Sequence, residues 1–131
     1  LELIDLSVKF KESHFFGKKE FKAVDKVSFK LCKGKTLALV GESGCGKSTL
    51  AKSILKLIPA SYGQIIFNQQ DITFIKGKEL KNFRKKVQIV LQDPFSSMNP
   101  RMRVGDIIAE GLDNLENCSN VQREKRIYQL L

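Results

Sequence analysis

The sequence predicts an α/β fold, and three observations carry that prediction. Gly41-Glu42-Ser43-Gly44-Cys45-Gly46-Lys47-Ser48-Thr49 matches the phosphate-loop pattern G-x-x-x-x-G-K-[ST] at every fixed position. Immediately before it, Thr36-Leu37-Ala38-Leu39-Val40 is a short apolar run of strand character. Immediately after it, Leu50, Ile54, Leu57 and Ile58 recur at helical spacing. A strand that feeds a glycine-rich turn opening a helix is the context in which this motif holds phosphate, so the three together predict a nucleotide site.

The elements follow in order. Leu1, Leu3, Leu6, Val8 and Phe10 give the first ten residues a loosely alternating apolar side, predicting an edge strand, and Lys11 to Lys19 breaks it into an irregular hairpin. Phe21 to Leu31 resumes strand character through Val24, Val27, Phe29 and Leu31, and Lys33-Gly34 turns the chain into the strand before the loop. Pro59 to Gly63 ends the first helix, because proline removes a donor and glycine permits the turn. Ile65-Ile66-Phe67 predicts a short strand and Asn68 to Asp71 a turn. Leu80, Phe83 and Val87 share one side of a helix over Glu79 to Val87, surrounded by Lys76, Lys78, Lys81, Arg84, Lys85 and Lys86. Gln88-Ile89-Val90-Leu91 predicts a buried strand ending at Gln92-Asp93-Pro94, and the prolines at 94 and 100 constrain the loop that follows. Val104, Ile107, Ile108 and Leu112 mark an amphipathic helix. Asp113 to Asn120 is polar and Asn-rich, and the last residues start another helix.

Composition bounds the class. With 131 residues, 42% apolar and 28% charged, the chain is the size and mixture of one globular domain or part of one. Twenty-three Lys and Arg against 14 Asp and Glu, net +9, suit a polyanionic ligand without naming one. The basic patch from Lys76 to Lys86 reads first as a solvated helix face, with nucleic-acid contact as the alternative. Cys32, Cys45 and Cys118 form no C-x-x-C pair, so neither a disulfide framework nor a thiolate metal site is expected, and a reducing, intracellular setting fits. No apolar run approaches 18 residues and no secretory leader is present, so attachment to a membrane would go through a partner.

The loop residues carry defined chemistry. Gly41, Gly44 and Gly46 let the chain curl so that backbone N–H groups and the next helix terminus converge on phosphate. Lys47 reaches the terminal phosphates as a point charge, the Ser48 hydroxyl suits magnesium, and Thr49 suits the phosphate nearest the sugar. Glu42, Ser43 and Cys45 fill the variable positions of the cofactor-binding loop. Thiol catalysis by Cys45 would need a base, and the only histidine, His14, sits in the amino-terminal hairpin, where it reads as a surface residue. Phe15 and Phe16 beside it are candidates to stack on a base. Gln92 and Asp93 lie at the carboxyl end of a predicted strand, where ligands of open α/β sheets gather.

Three stretches resemble the ATP-binding cassette (ABC) transporter ATPases, within them the oligopeptide and dipeptide importer subfamily: Ala23 to Phe29, Val40 to Leu50, and Val87 to Glu110. The phosphate loop alone is shared by many ATPases; the third stretch, with Gln92-Asp93-Pro94-Phe95-Ser96-Ser97-Met98-Asn99-Pro100-Arg101, is far more specific. The resemblance covers about residues 1 to 112. It implies a P-loop NTPase (RecA-like) core with an amino-terminal antiparallel β layer, divided as 1–31 antiparallel β part, 32–92 P-loop core and 93–131 glutamine loop and start of a helical subdomain. It implies ATP and Mg2+ as cofactors. Lys47 and Gln92 look catalytic, Gln92 sensing magnesium and the terminal phosphate with Ser48 as the other metal contact, and Phe10, or second Phe16, looks like the aromatic that stacks on adenine. The implied partners are a second ATPase subunit, the same or different, transmembrane permease subunits and, indirectly, an extracytoplasmic substrate-binding protein. The implied location is peripheral, at the cytoplasmic face of the membrane.

The sequence holds no match to the family's L-S-G-G-Q motif, to its apolar strand ending in Asp-Glu or to its switch histidine, all of which lie downstream of the glutamine loop. The expectation is a fragment, truncated before the signature motif, that binds nucleotide without the carboxylate that orients the attacking water. The leading function is an ATPase subunit driving peptide uptake. The alternatives are a nickel-importer ATPase, a non-catalytic nucleotide-binding module and a nucleic-acid-associated cassette protein.

Overall fold

A computed structural model describes residues 1–14, 17–115 and 119–131. The chain divides into two compact units, Leu1–Lys76 and Gly77–Leu131.

In the first unit, strands β1 (Glu2–His14) and β2 (Gly17–Lys30) form a long antiparallel hairpin. Strand β3 (Tyr62–Phe67) pairs with the other side of β1, and the short β4 (Gln70–Asp71) pairs with β3, giving the order β2-β1-β3-β4. The first strand, expected at an edge, is therefore interior. Its core positions Leu3, Leu6 and Val8 are buried together with Val24 of β2 and Ile65 of β3. The uneven spacing of those leucines has a local cause. Asp5 takes a left-handed backbone (φ 48), and the register shifts between Leu3 and Leu6 against β2 and between Ile4 and Ser7 against β3. A bulge of this kind adds a residue and returns the next apolar side chains to the buried face. The irregular backbone is satisfied: Asp5 N–H donates to Ser28 Oγ at 2.8 Å, and Lys26 N–H donates to Oγ of the buried Ser7 at 2.9 Å. Gly63 (φ 87) comes so close to this bulge that a Cβ there would sit 2.4 Å from Asp5 O.

Helix α1 (Lys47–Ile54) buries Leu50 and Ser53. It ends before Leu57 and Ile58, which share its apolar spacing, because the chain reverses at Lys56 (φ 58), and Leu57 is left 54% exposed. The Lys56 ammonium donates to Thr73 O. Thr73, itself buried, accepts from Ile65 N–H at 2.8 Å and donates its hydroxyl to Asp71 Oδ1. Thr73 N–H reaches the same oxygen at 2.8 Å. These bonds from Thr73 hold the Asp71 carboxyl below its usual range, while burial pushes the Lys56 ammonium down against the opposing pull of Asp71. The cluster closes the β3–β4 turn onto the end of α1.

Two expected strands do not form. Residues 36–40 lie outside any strand, with Leu37 and Leu39 exposed and Val40 93% exposed. Residues 88–91, expected to be buried, are likewise irregular, and Val90 is 89% exposed. Continuous apolar runs of this type suit strands of a parallel sheet covered on both faces, which need ladder neighbours on each side. Among the described residues the only sheet is β2-β1-β3-β4.

The second unit is helical. Helix α2 (Gly77–Lys86) buries Phe83 and leaves Lys78, Lys85 and Lys86 exposed, the amphipathic division that solvates its basic side. A short α3 (Pro94–Ser97) precedes α4 (Val104–Leu115), where Ala109 and Leu112 are buried while Val104 is 63% exposed. Helix α4 thus runs on into the stretch expected to be a polar break. Helix α5 (Asn120–Leu130) starts with a capping box in which Ser119 and Gln122 exchange side-chain and backbone bonds. Arg123 grips Asp113 with both prongs, Nε to Oδ1 at 2.8 Å and an Nη to Oδ2 at 3.1 Å, and this pairing raises the guanidinium pKa.

Candidate nucleotide site

The site is built where the first unit turns into α1. Gly46 is the N-cap of that helix, in a left-handed backbone (φ 97) and with no side chain to cap the first turn. A Cβ at Gly46 would lie 2.2 Å from Ala23 O and 3.7 Å from Val24 Cγ2, so the loop is seated directly on β2 at a point only glycine allows. The first amides of a helix have no partner within it, and the first turn of α1 carries no acidic residue. The N–H groups of Lys47, Ser48 and Thr49 therefore start a terminus whose partial positive charge favours an anion. Leu50 N–H makes the first helical bond, to Gly46 O at 2.8 Å.

Lys47 folds over the mouth of the loop. Its ammonium donates to Gly41 O at 2.8 Å and Glu42 O at 2.6 Å, and stands 3.4 Å from Cys45 Sγ. Cys45 N–H closes the turn onto Glu42 O at 3.4 Å. Neutral carbonyls are weaker partners for an ammonium than phosphate oxygens, so a polyphosphate on the helix terminus would take over these contacts. Ser48 follows on the first turn with an exposed hydroxyl. Gly41 to Thr49 are thus brought together as one loop, with Ser43 and Cys45 exposed on its surface.

The other candidates distribute as follows. Phe10 lies in β1 and its antiparallel partner is Phe21 of β2, the rings' residues being 39% and 57% exposed. Phe16 lies outside the described residues. Phe21 is a residue that the strand pattern alone does not single out; the register of the hairpin is the signal that finds it. Gln92 belongs to the second unit and is exposed at the start of an ordered turn. There Asp93 Oδ1 accepts Phe95 N–H at 3.1 Å and Asn99 Oδ1 accepts Arg101 N–H at 3.0 Å, which accounts for the constraint expected of the loop. Within the first unit, the Ser48 hydroxyl is a neutral oxygen donor, the hard type that Mg2+ takes alongside phosphate and water. Among the described residues no group of three or more His, Cys, Asp and Glu could hold a metal, and no helix is long and apolar enough to cross a membrane.

A phosphate-loop sequence that rests on β2 and opens α1 matches the class of P-loop proteins. The comparisons narrow the class: residues 24–131 match the family described as ABC transporter, and the chain belongs to it. It is 45% identical over 130 residues to the oligopeptide transport ATP-binding protein OppF of Bacillus subtilis, covering 96% of this chain and 42% of that protein. It is 50% identical over 117 residues to OppF of Haemophilus influenzae, covering 86% of this chain and 35% of that protein. The chain thus spans less than half the length of these relatives. Its fold is that of an ABC ATPase cassette: a dimeric, post-hydrolysis structure of the ATP-binding cassette MJ0796 bound to ADP and Pi matches with a TM-score of 0.75 at 20% identity, over 98% of this chain and 54% of that one.

Proposed function

We propose that this chain is the nucleotide-binding part of an ATPase subunit that couples MgATP binding and hydrolysis to the uptake of oligopeptides or dipeptides. The observation that carries the reading is the uncapped start of α1, with Gly46 seated on β2 and the Lys47 ammonium drawn over the loop by backbone carbonyls. The peptide cargo is supported by the oligopeptide-transport names of the relatives, and pairing of two cassettes around nucleotide by the dimeric form of the ADP-bound neighbour.

In this reading the amides of the first turn of α1 bind the phosphates without needing to reorganise, and Lys47 exchanges two carbonyls for phosphate oxygens. The Ser48 hydroxyl would hold Mg2+, which would supply charge neutralisation of the terminal phosphates when bound, and Gln92 would sense that ion through its carboxamide. Phe10 stacks on the base. Movement of substrate draws on permease subunits at the membrane. Gln92, at the head of the turn containing Pro94 and Pro100, links the nucleotide to those subunits.

Lys47→Ala tests the reading. Each charge-assisted bond contributes about 1.5–3 kcal/mol, so calorimetry on the full-length protein should find MgATP affinity reduced by roughly tenfold to a hundredfold. Unchanged affinity would remove the loop from the site.

A further inference from the structure

The β1–β2 hairpin carries a feature that the phosphate loop does not explain. Val8 and Val24 are partners and both are buried. Regular antiparallel pairing from there would set Phe10 opposite Lys22. Instead the register shifts between Val8 and Lys9, so that Lys9 meets Lys22 and Phe10 meets Phe21. The bulge thereby replaces an ammonium by a second ring at the position facing Phe10, and re-aiming a side chain is a recurrent use of bulges. Val8 and Phe10, two apart in β1, share a face, and directly opposed residues in a ladder have Cβ atoms about 4.5–5.5 Å apart, close enough for both rings to touch one planar ligand.

This ring pair begins where the loop is seated. Gly46 rests on Ala23 and Val24, the residues of β2 that follow Phe21 and Lys22. The neighbouring cations do not compete for the same space. Lys9 is bonded to Glu20 at 3.1 Å and lies 5.0 Å from the centre of the Tyr62 ring, and Lys22 is bonded to Asp25 at 3.1 Å. Their commitment to carboxylates leaves the Phe10–Phe21 pair as exposed hydrocarbon next to a phosphate-binding terminus.

We propose that Phe21 is a second base-contacting residue, forming with Phe10 a two-ring platform for the nucleobase. The proposal rests on the nucleotide reading above and deepens it: rings without polar atoms recognise the π-face of a base rather than its edge, so the platform adds affinity for nucleoside triphosphates over bare polyphosphate. Aromatic stacking on a base is worth about a tenfold change in affinity.

The test compares MgATP with Mg-tripolyphosphate, which has no base, on the full-length protein. Phe21→Ala should weaken MgATP about tenfold and leave tripolyphosphate unchanged. Phe21→Trp should retain MgATP affinity, and the fluorescence that the new indole adds over the native protein, these 131 residues holding no other tryptophan, should be quenched by MgATP and not by tripolyphosphate. Phe21→Ala binding MgATP as tightly as the native protein, or losing both ligands equally, would overturn the assignment. If Lys47→Ala weakens both ligands while Phe21→Ala alters neither, this inference alone fails; if the native protein binds neither ligand, the nucleotide reading fails with it.

Discussion

The antiparallel sheet and the two continuous apolar runs, 36–40 and 88–91, have similar composition and opposite fates. Leu3, Leu6, Val8 and Ile65 are at most 1% exposed, whereas Val40 and Val90 are 93% and 89% exposed and lie in no strand. Strand chemistry is therefore not what separates them. The residues of β1 find ladder partners on both sides, β2 and β3, within Leu1–Lys76. The two runs have no such neighbours among the described residues. A β-strand is a property of a pair, and local sequence specifies only one member of it.

Mutations can break this contrast at several depths. The largest effect is expected in the sheet core: Leu6→Ala or Ile65→Ala should cost about 2–5 kcal/mol in urea unfolding, while Val40→Thr or Val90→Thr in the same chain should stay within about 0.5 kcal/mol. Equal losses at both kinds of site would show that the runs are packed after all. Gly46→Ala comes next. It forces a Cβ against Ala23 O in a left-handed backbone, at a cost of about 1–3 kcal/mol, and lifts the loop from β2, so stability and MgATP affinity should fall together. A smaller effect is expected at Asp71. Because its folded pKa is lowered, its contribution is complete above the unfolded value of about 4 and is lost as pH falls through the lower folded value. Asp71→Asn should flatten that acid limb, and an unchanged limb would assign it to other carboxylates. The smallest effect belongs to Asp113→Asn, which removes an exposed pair with Arg123 and should barely move the urea midpoint.

Much of the site was legible because its chemistry is contiguous. The loop, the helix it opens and the lysine at its mouth all lie between Gly41 and Ile54. The helix over Glu79 to Val87 was also legible, since Phe83 and its basic surroundings follow the helical period. What the sequence concealed depends on pairing across distance. The interior place of β1 follows from β3, some fifty residues on, and the bulge at Asp5 explains a spacing that alternation alone leaves uneven. Phe21 gains its significance only from the register that sets it against Phe10. The early end of α1 is likewise tertiary, set by the reversal at Lys56 and its tie to Thr73.

The most direct measurement of the central claim is hydrogen exchange of the full-length protein with and without MgATP. The account predicts that nucleotide slows exchange of the amides from Gly44 to Leu50 and leaves those of Leu3, Leu6 and Val8 as they were. Exchange at Gly44 to Leu50 that saturating MgATP does not alter would contradict it.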